Sequence, residues 1–266
     1  IEVKDSAITT RDGTLHLFYD MTDAEWPDVV EGVWALKELA GATTDHQPLD
    51  VHPTIKAQGL EGAYAKRLAQ LITDFCGDQN LSRVAFMFAG MDGKTWTFGA
   101  FNRMGSTLVA DPIPRFNDKK EQQVEEHGNE MRRNSEMIPS PSNIDLTTLL
   151  SYTELQLADD FTLRRATKEA LLIENPDKET PQTIDCGSCH MASRALTFAA
   201  ADRNIDLQSF TAERYLAPQR FDLRRVDAAK EDPFAQRAFG YFHAHSALSQ
   251  RTINESAAIA EALSPK

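Results

Sequence analysis

The chain has 266 residues, enough for one large domain or two smaller ones, with 41% hydrophobic and 26% charged residues, proportions ordinary for a globular protein. No apolar run approaches the roughly 18 residues that a membrane helix needs, so the sequence predicts no membrane span. The formal charge is −12, and residues 181–266 hold ten acidic and ten basic residues, so residues 1–180 carry all of it; that bias argues against nucleic acid and anionic lipid and favours a cationic docking partner.

Residues 1–115 read as an α+β unit. Ala7–Thr10 and Thr14–Phe18 flank Arg11-Asp12-Gly13, and Asp-Gly between apolar runs predicts a hairpin. Thr22-Asp23-Ala24-Glu25 has the pattern of a capping box. The helix it opens places Trp26, Val29, Val30, Val33 and Leu36 at helical spacing and stops at Gly41. A loop with His46, His52 and Pro53 leads to a second helix carrying Tyr64, Leu68, Leu71, Ile72 and Phe75. His46 and His52 beside Asp45 and Asp50 read as an ordinary polar loop, with a surface metal site as the sharper alternative. Three strands then follow over Val84–Ala89, Thr95–Phe101 and Thr107–Ala110, an antiparallel meander in which Trp96, Phe98 and Ala100 form an inward face.

Residues 116–143 are polar and end in Ile138-Pro139-Ser140-Pro141-Ser142-Asn143, which predicts a linker. Residues 144–266 read as helical. Helices are expected around Leu146–Leu155, over Asp160–Glu174, over Ala192–Ala201, over Pro233–Phe242 and over Asn254–Leu263. The loop Asn175–Thr183 delivers the most informative stretch of the chain.

That stretch is Cys186-Gly187-Ser188-Cys189-His190. On one helical turn the two thiols and the imidazole stand at i, i+3 and i+4 and share a face. Gly187 and Ser188 are small, which is expected to let the backbone lie close to a porphyrin edge. The pentapeptide resembles the haem attachment motif of the c-type cytochromes. The resemblance covers five residues and a helical setting, not the whole chain. It implies one haem c, bound through thioethers at Cys186 and Cys189 with His190 as the proximal iron ligand. It also implies attachment outside the cytoplasm, hence a periplasmic or otherwise extracytoplasmic, exported chain. The implied architecture is an α+β N-terminal unit followed by an all-α, cytochrome c-like haem domain. Zinc is the competing reading, with His243 and His245 together closing a Cys2His2 site. A redox dithiol is the third, although Thr183-Ile184-Asp185 is too short and polar for the strand that such a motif follows. Cys76 then has no disulfide partner and is expected to be a small buried residue near a helix end.

The distal side of the iron is open to several side chains. The methionine after the motif is Met191, beside the proximal ligand and pointing the wrong way, which sets the chain apart from the common small soluble cytochromes. His243 or His245 is one source. Met137, Met131 or His127 from the preceding segment is another, and the third possibility is no protein ligand. Glu125-Glu126-His127 or His245 could serve an open site as acid or base. Among the eight arginines of the last third, Arg194 and Arg220 are candidates to hold haem propionates.

The leading expectation is therefore a mono-haem electron-transfer protein that docks, through residues 1–115, to a redox partner or a larger extracytoplasmic complex. An open-site haem enzyme or small-molecule sensor is the alternative, and a zinc-stabilised binding protein the second. No nucleotide-binding, zinc-protease or hydrolase motif is present, and no catalytic residue is assigned.

Overall fold

The computed structural model describes residues 2–4, 7–9, 13–41, 51–90, 95–129, 132–137, 144–216, 239–242 and 245–263; along 2–9, 125–145 and 239–248 the description is of the backbone only. The fold is mixed α+β, as expected of residues 1–115, whereas residues 144–266, expected to be all-α, include two strands, Phe239–Phe242 and His245–Leu248. Two short strands, β1 (Glu2–Lys4) and β2 (Ala7–Thr9), pair with each other. The main sheet has six strands. Five run in the order β3 (Gly13–Tyr19), β4 (Leu81–Ala89), β5 (Thr95–Met104), β7 (Glu121–Asn129) and β8 (Arg132–Met137), and β6 (Thr107–Ala110) pairs with β5. The Asp12-Gly13 signal therefore does not produce a hairpin between its flanking strands. β2 pairs backwards onto β1, and β3 joins β4.

The chain forms two compact units. One comprises His16–Val84 and Phe101–Val109. Its first helix, α1 (Trp26–Ala40), opens on the expected capping box. The Thr22 N–H donates to Glu25 Oε2 (2.8 Å) and the Glu25 N–H donates back to Thr22 Oγ1 (3.3 Å). Gly41, at φ 65°, ends the helix with its N–H on the Lys37 and Glu38 carbonyls. A short helix, α2 (Pro53–Gln58), precedes α3 (Ala63–Phe75). His52 has two structural tasks: its Nδ1 caps α2 by accepting from the Thr54 N–H (3.2 Å), and its ring stacks on Tyr64 at 4.3 Å. His46 lies outside the described residues. α1 packs on α3, and Gly32 makes the crossing close, since a Cβ there would sit 2.4 Å from Leu71 Cδ1. Cys76 is the C-cap of α3 and is half-buried.

The other unit comprises Ile1–Leu15, Ala85–Ala100 and Ala110–Lys266. Here the stretch that composition marks as a linker forms β7 and β8, antiparallel to each other, with β7 antiparallel to β5. The pairing sets Trp96 opposite Val124 and Phe98 opposite Gln122. The helices are α4 (Ile144–Leu150), α5 (Tyr152–Leu157), α6 (Asp160–Ile173), α7 (Cys186–Arg203) and α8 (Gln250–Ala262). α4, α6 and α7 pack on one another, α4 and α5 reach β8, and α7 reaches β7. One continuous core results, with Phe98, Val124, Leu149, Leu150, Leu155 and Met191 fully buried. Residues 239–242, the described end of the helix expected over Pro233–Phe242, are instead strand β9 (Phe239–Phe242), antiparallel to β10 (His245–Leu248). Three aromatics around a glycine, Phe239-Gly240-Tyr241-Phe242, suit a strand better than a helix.

Candidate functional site

The loop that delivers the motif is pinned from several sides. The Arg115 guanidinium donates to both carboxylate oxygens of Glu179 (2.7 and 2.9 Å). Asn254 Nδ2 donates to the Glu174 carbonyl (2.7 Å), and Asn175 Nδ2 donates to the Glu213 carbonyl (2.9 Å). The buried Arg251 on α8 donates to the Ile173 and Glu179 carbonyls and to Glu255 on its own helix. The chain reaches Asp185 with little freedom left.

Asp185 is the N-cap of α7. Its Oδ2 accepts from the Ser188 N–H (3.0 Å) and its Oδ1 accepts from the Ser188 hydroxyl (2.8 Å). Gln122 on β7 engages both ends of this turn. Its Nε2 donates to Asp185 Oδ2 (2.6 Å) and its Oε1 accepts from the Gly187 N–H (2.6 Å). Gln122, Asp185 and Ser188 are each 1% exposed, so the cluster is dry. A buried carboxylate with three donors around it is well satisfied, and removing any one donor leaves a desolvated acceptor short of a partner.

The first turn of α7 is consequently two-faced. Gly187, Ser188, Met191 and Ala192 are buried, whereas Cys186, Cys189, His190 and Ser193 keep some surface. Helical spacing sets the three chemistry-bearing positions on one side of the helix, where Cys186 and Cys189 pack against the core and the Cys189 thiol is itself buried. The imidazole of His190 lies 4.9 Å from the ring of Phe98, tilted by 49°. Phe98 and Gln122 are cross-strand partners, so one pair of adjacent strand positions supports both the imidazole and the helix cap. Gly187 and Ser188 face the sheet. A Cβ at position 187 would come within 2.9 to 3.1 Å of the Gln122 amide. The absence of a side chain at Gly187 is therefore accounted for by the Gln122 amide of β7, a constraint separate from the porphyrin edge that the sequence suggests.

Burial pushes the Cys189 thiol up to about 12, against a weaker lowering by Arg251. At neutral pH it is a thiol and not a thiolate. Cys186 and Cys189 are not joined by a disulfide. Among the described residues no group of three or more His, Cys, Asp or Glu side chains could hold a metal ion.

The remaining sequence candidates fall as follows. Met191 is buried in the core. Arg194 is 3% exposed, with its guanidinium 5.4 Å from the Phe198 ring. Met137 lies on β8 opposite Val124, and His127 lies on β7 opposite Asn134. His245 lies on β10 opposite Phe242. His243, Met131 and Arg220 lie outside the described residues. No described helix is long and apolar enough to cross a membrane. Sequence reasoning missed Gln122, Asp185, Phe98 and Arg251 as parts of the site. Asp185 was within reach, because Asp followed three residues later by Ser188 at a helix start is a capping signal. Gln122 carries no local signal at all.

Nothing matches this chain among protein-family models, curated proteins or solved structures.

Proposed function

We propose that the chain is a mono-haem c-type electron-transfer protein, with the porphyrin tied to Cys186 and Cys189 and its iron bound by His190. The observation that supports this reading is the two-faced first turn of α7. Cys186, Cys189 and His190 are partly buried, the two cysteines packed against the core, while Gly187, Ser188, Met191 and Ala192 around them are buried. The donor set fits the group: soft thiols for thioether formation and a neutral imidazole nitrogen for iron. When bound, such a haem supplies a one-electron iron couple. The chain's own residues hold that turn rigid through Gln122 and Asp185 and hold the imidazole against Phe98. The haem-bearing part is then the helical layer α4–α8, sharing a core with β5 and β7, and haem attachment places the protein outside the cytoplasm. Residues 1–115, with the acidic bias of the first two thirds of the chain, serve docking to a cationic redox partner.

The test is intact mass and visible spectroscopy after expression with haem-attachment machinery. One added tetrapyrrole, lost in C186S/C189S, is the expected result. Sharp α and β bands insensitive to carbon monoxide mark a carrier, and a carbon monoxide shift would mark an open-site enzyme or sensor instead. The bare polypeptide mass would end the proposal.

A further inference from the structure

We infer that Gln122 is a positioning residue for the 186–190 motif: from β7 it locks the first turn of α7 so that Cys186, Cys189 and His190 keep one fixed arrangement. The biological meaning rests on the haem reading above, but the geometry does not. Gln122 uses both halves of its amide, the Nε2 donor on Asp185 and the Oε1 acceptor on the Gly187 N–H, at 2.6 Å each. Those two residues are the N-cap and the second residue of the helix, so the amide spans the residue that bears the first thiol. The fit admits little adjustment. Gly187 has no room for a Cβ on that side, and Gln122 and Asp185 are each 1% exposed. A glutamine deep in a sheet otherwise lined by Val124, Phe98 and Trp96 has a desolvation cost that an apolar residue would avoid. Its two hydrogen bonds offset that cost and fix the rotation of α7 about its own axis at the point where the three donors begin. Phe98, its cross-strand partner, supports the imidazole from the next position. The sheet thus sets the orientation of the motif, and Asp185 acts with Gln122 as the relay.

The polarity of the pair provides a specific test. In Q122E the acceptor for the Gly187 N–H survives, but two carboxylates face each other. In Q122E/D185N a donor returns, now on residue 185, and the match between 122 and 185 is restored with its direction reversed. The swap gives up the Ser188 N–H bond to the cap, so recovery is partial. The full-length chain is made with haem-attachment machinery. Haem occupancy is read by intact mass, and protection of the Gly187 amide by hydrogen exchange. Q122L is expected to speed exchange at Gly187 by about tenfold or more, Q122E by less because its acceptor survives, and both are expected to lower haem occupancy or split it between one-link and two-link products. Q122E/D185N is expected to recover part of both.

Wild-type exchange at Gly187 in Q122L would overturn the inference. So would faster exchange with unchanged occupancy and an unchanged visible spectrum, because Gln122 would then be packing alone. If Q122L does not fold, the comparison of Q122E with Q122E/D185N decides: no recovery in the double variant counts against the clamp. If the wild-type chain carries no haem, the functional reading falls. The presented set is then judged by alkylation of Cys186 and Cys189 in wild type and the same variants, and unchanged rates would overturn it.

Discussion

The two compact units are held together in different ways. In the unit that contains the motif, one apolar core joins strands and helices, and a buried polar cluster of Gln122, Asp185 and Ser188 lies against it. In the unit built on α1 and α3, the described buried residues are few. Leu36, Ala65 and Val84 lie at 8 to 9% exposure, while Trp26, Leu17 and Ile72 remain about half exposed. The first unit defines a single arrangement of particular side chains. The second is a helix pair with much apolar surface still in water, the kind of surface that the proposed docking role would use. Precision is concentrated where three donors must share a face.

Mutations should reproduce that asymmetry. Phe98→Ala removes a ring that is 1% exposed from the centre of the larger core, and should cost about 3–5 kcal/mol. Chemical denaturation would show it as a lower midpoint at constant slope. A loss below about 1 kcal/mol would mean that the site side of the core is loosely packed.

The Cys189 thiol gives a pH test. Its folded value is raised from 9.0 to about 12. Below pH 9 the thiol is protonated in both states and stability is unaffected. Between pH 9 and about 12 the unfolded chain loses its proton while the folded chain keeps it, so stability falls by about 1.4 kcal/mol per pH unit across that window. Urea midpoints measured against pH would reveal the slope. Once both thiols are thioethers nothing titrates there, and the slope should disappear; its persistence in a haem-loaded sample would place it on another group.

Gly187→Ala forces a methyl to about 2.9 Å from the Gln122 amide and should cost about 1–3 kcal/mol by overpacking. Thermal melts of this variant beside Q122A would show whether shortening the glutamine relieves it. At the other extreme, Ile72→Lys replaces a side chain that is 51% exposed on α3 and should change stability by no more than about 0.5 kcal/mol. Its effect is expected on association with the partner; a large loss of stability would show that the face is covered within the chain.

What could be read from the sequence follows the range of the interactions involved. The capping box at Thr22 and Glu25, the strands β4 to β6 and the helices α3, α4 and α6 are local features, and their signals are local. β7 was hidden because Glu121–Asn129 reads Glu-Gln-Gln-Val-Glu-Glu-His-Gly-Asn, in which the single apolar residue Val124 leaves no alternation to read. β9 was read as helix because Pro233 and the alanines upstream outweighed its aromatics. In the site, the spacing of Cys186, Cys189 and His190 was explicit, and the shared face follows from helical geometry alone. The support beneath it comes from Gln122 and Phe98, more than 60 residues upstream in the chain, and only strand pairing brings them there.

The contact between Gly187 and β7 has a consequence for anyone altering this segment. A pattern search treats the two positions between the cysteines as wildcards, yet here Gly187 is wedged against the Gln122 amide of the neighbouring strand and Ser188 is tied to the Asp185 cap. A pentapeptide transplanted from another protein, with bulkier fillers, would keep all three donors and still lose their common bearing. Exchange of this segment will succeed only if residue 122 is redesigned along with it.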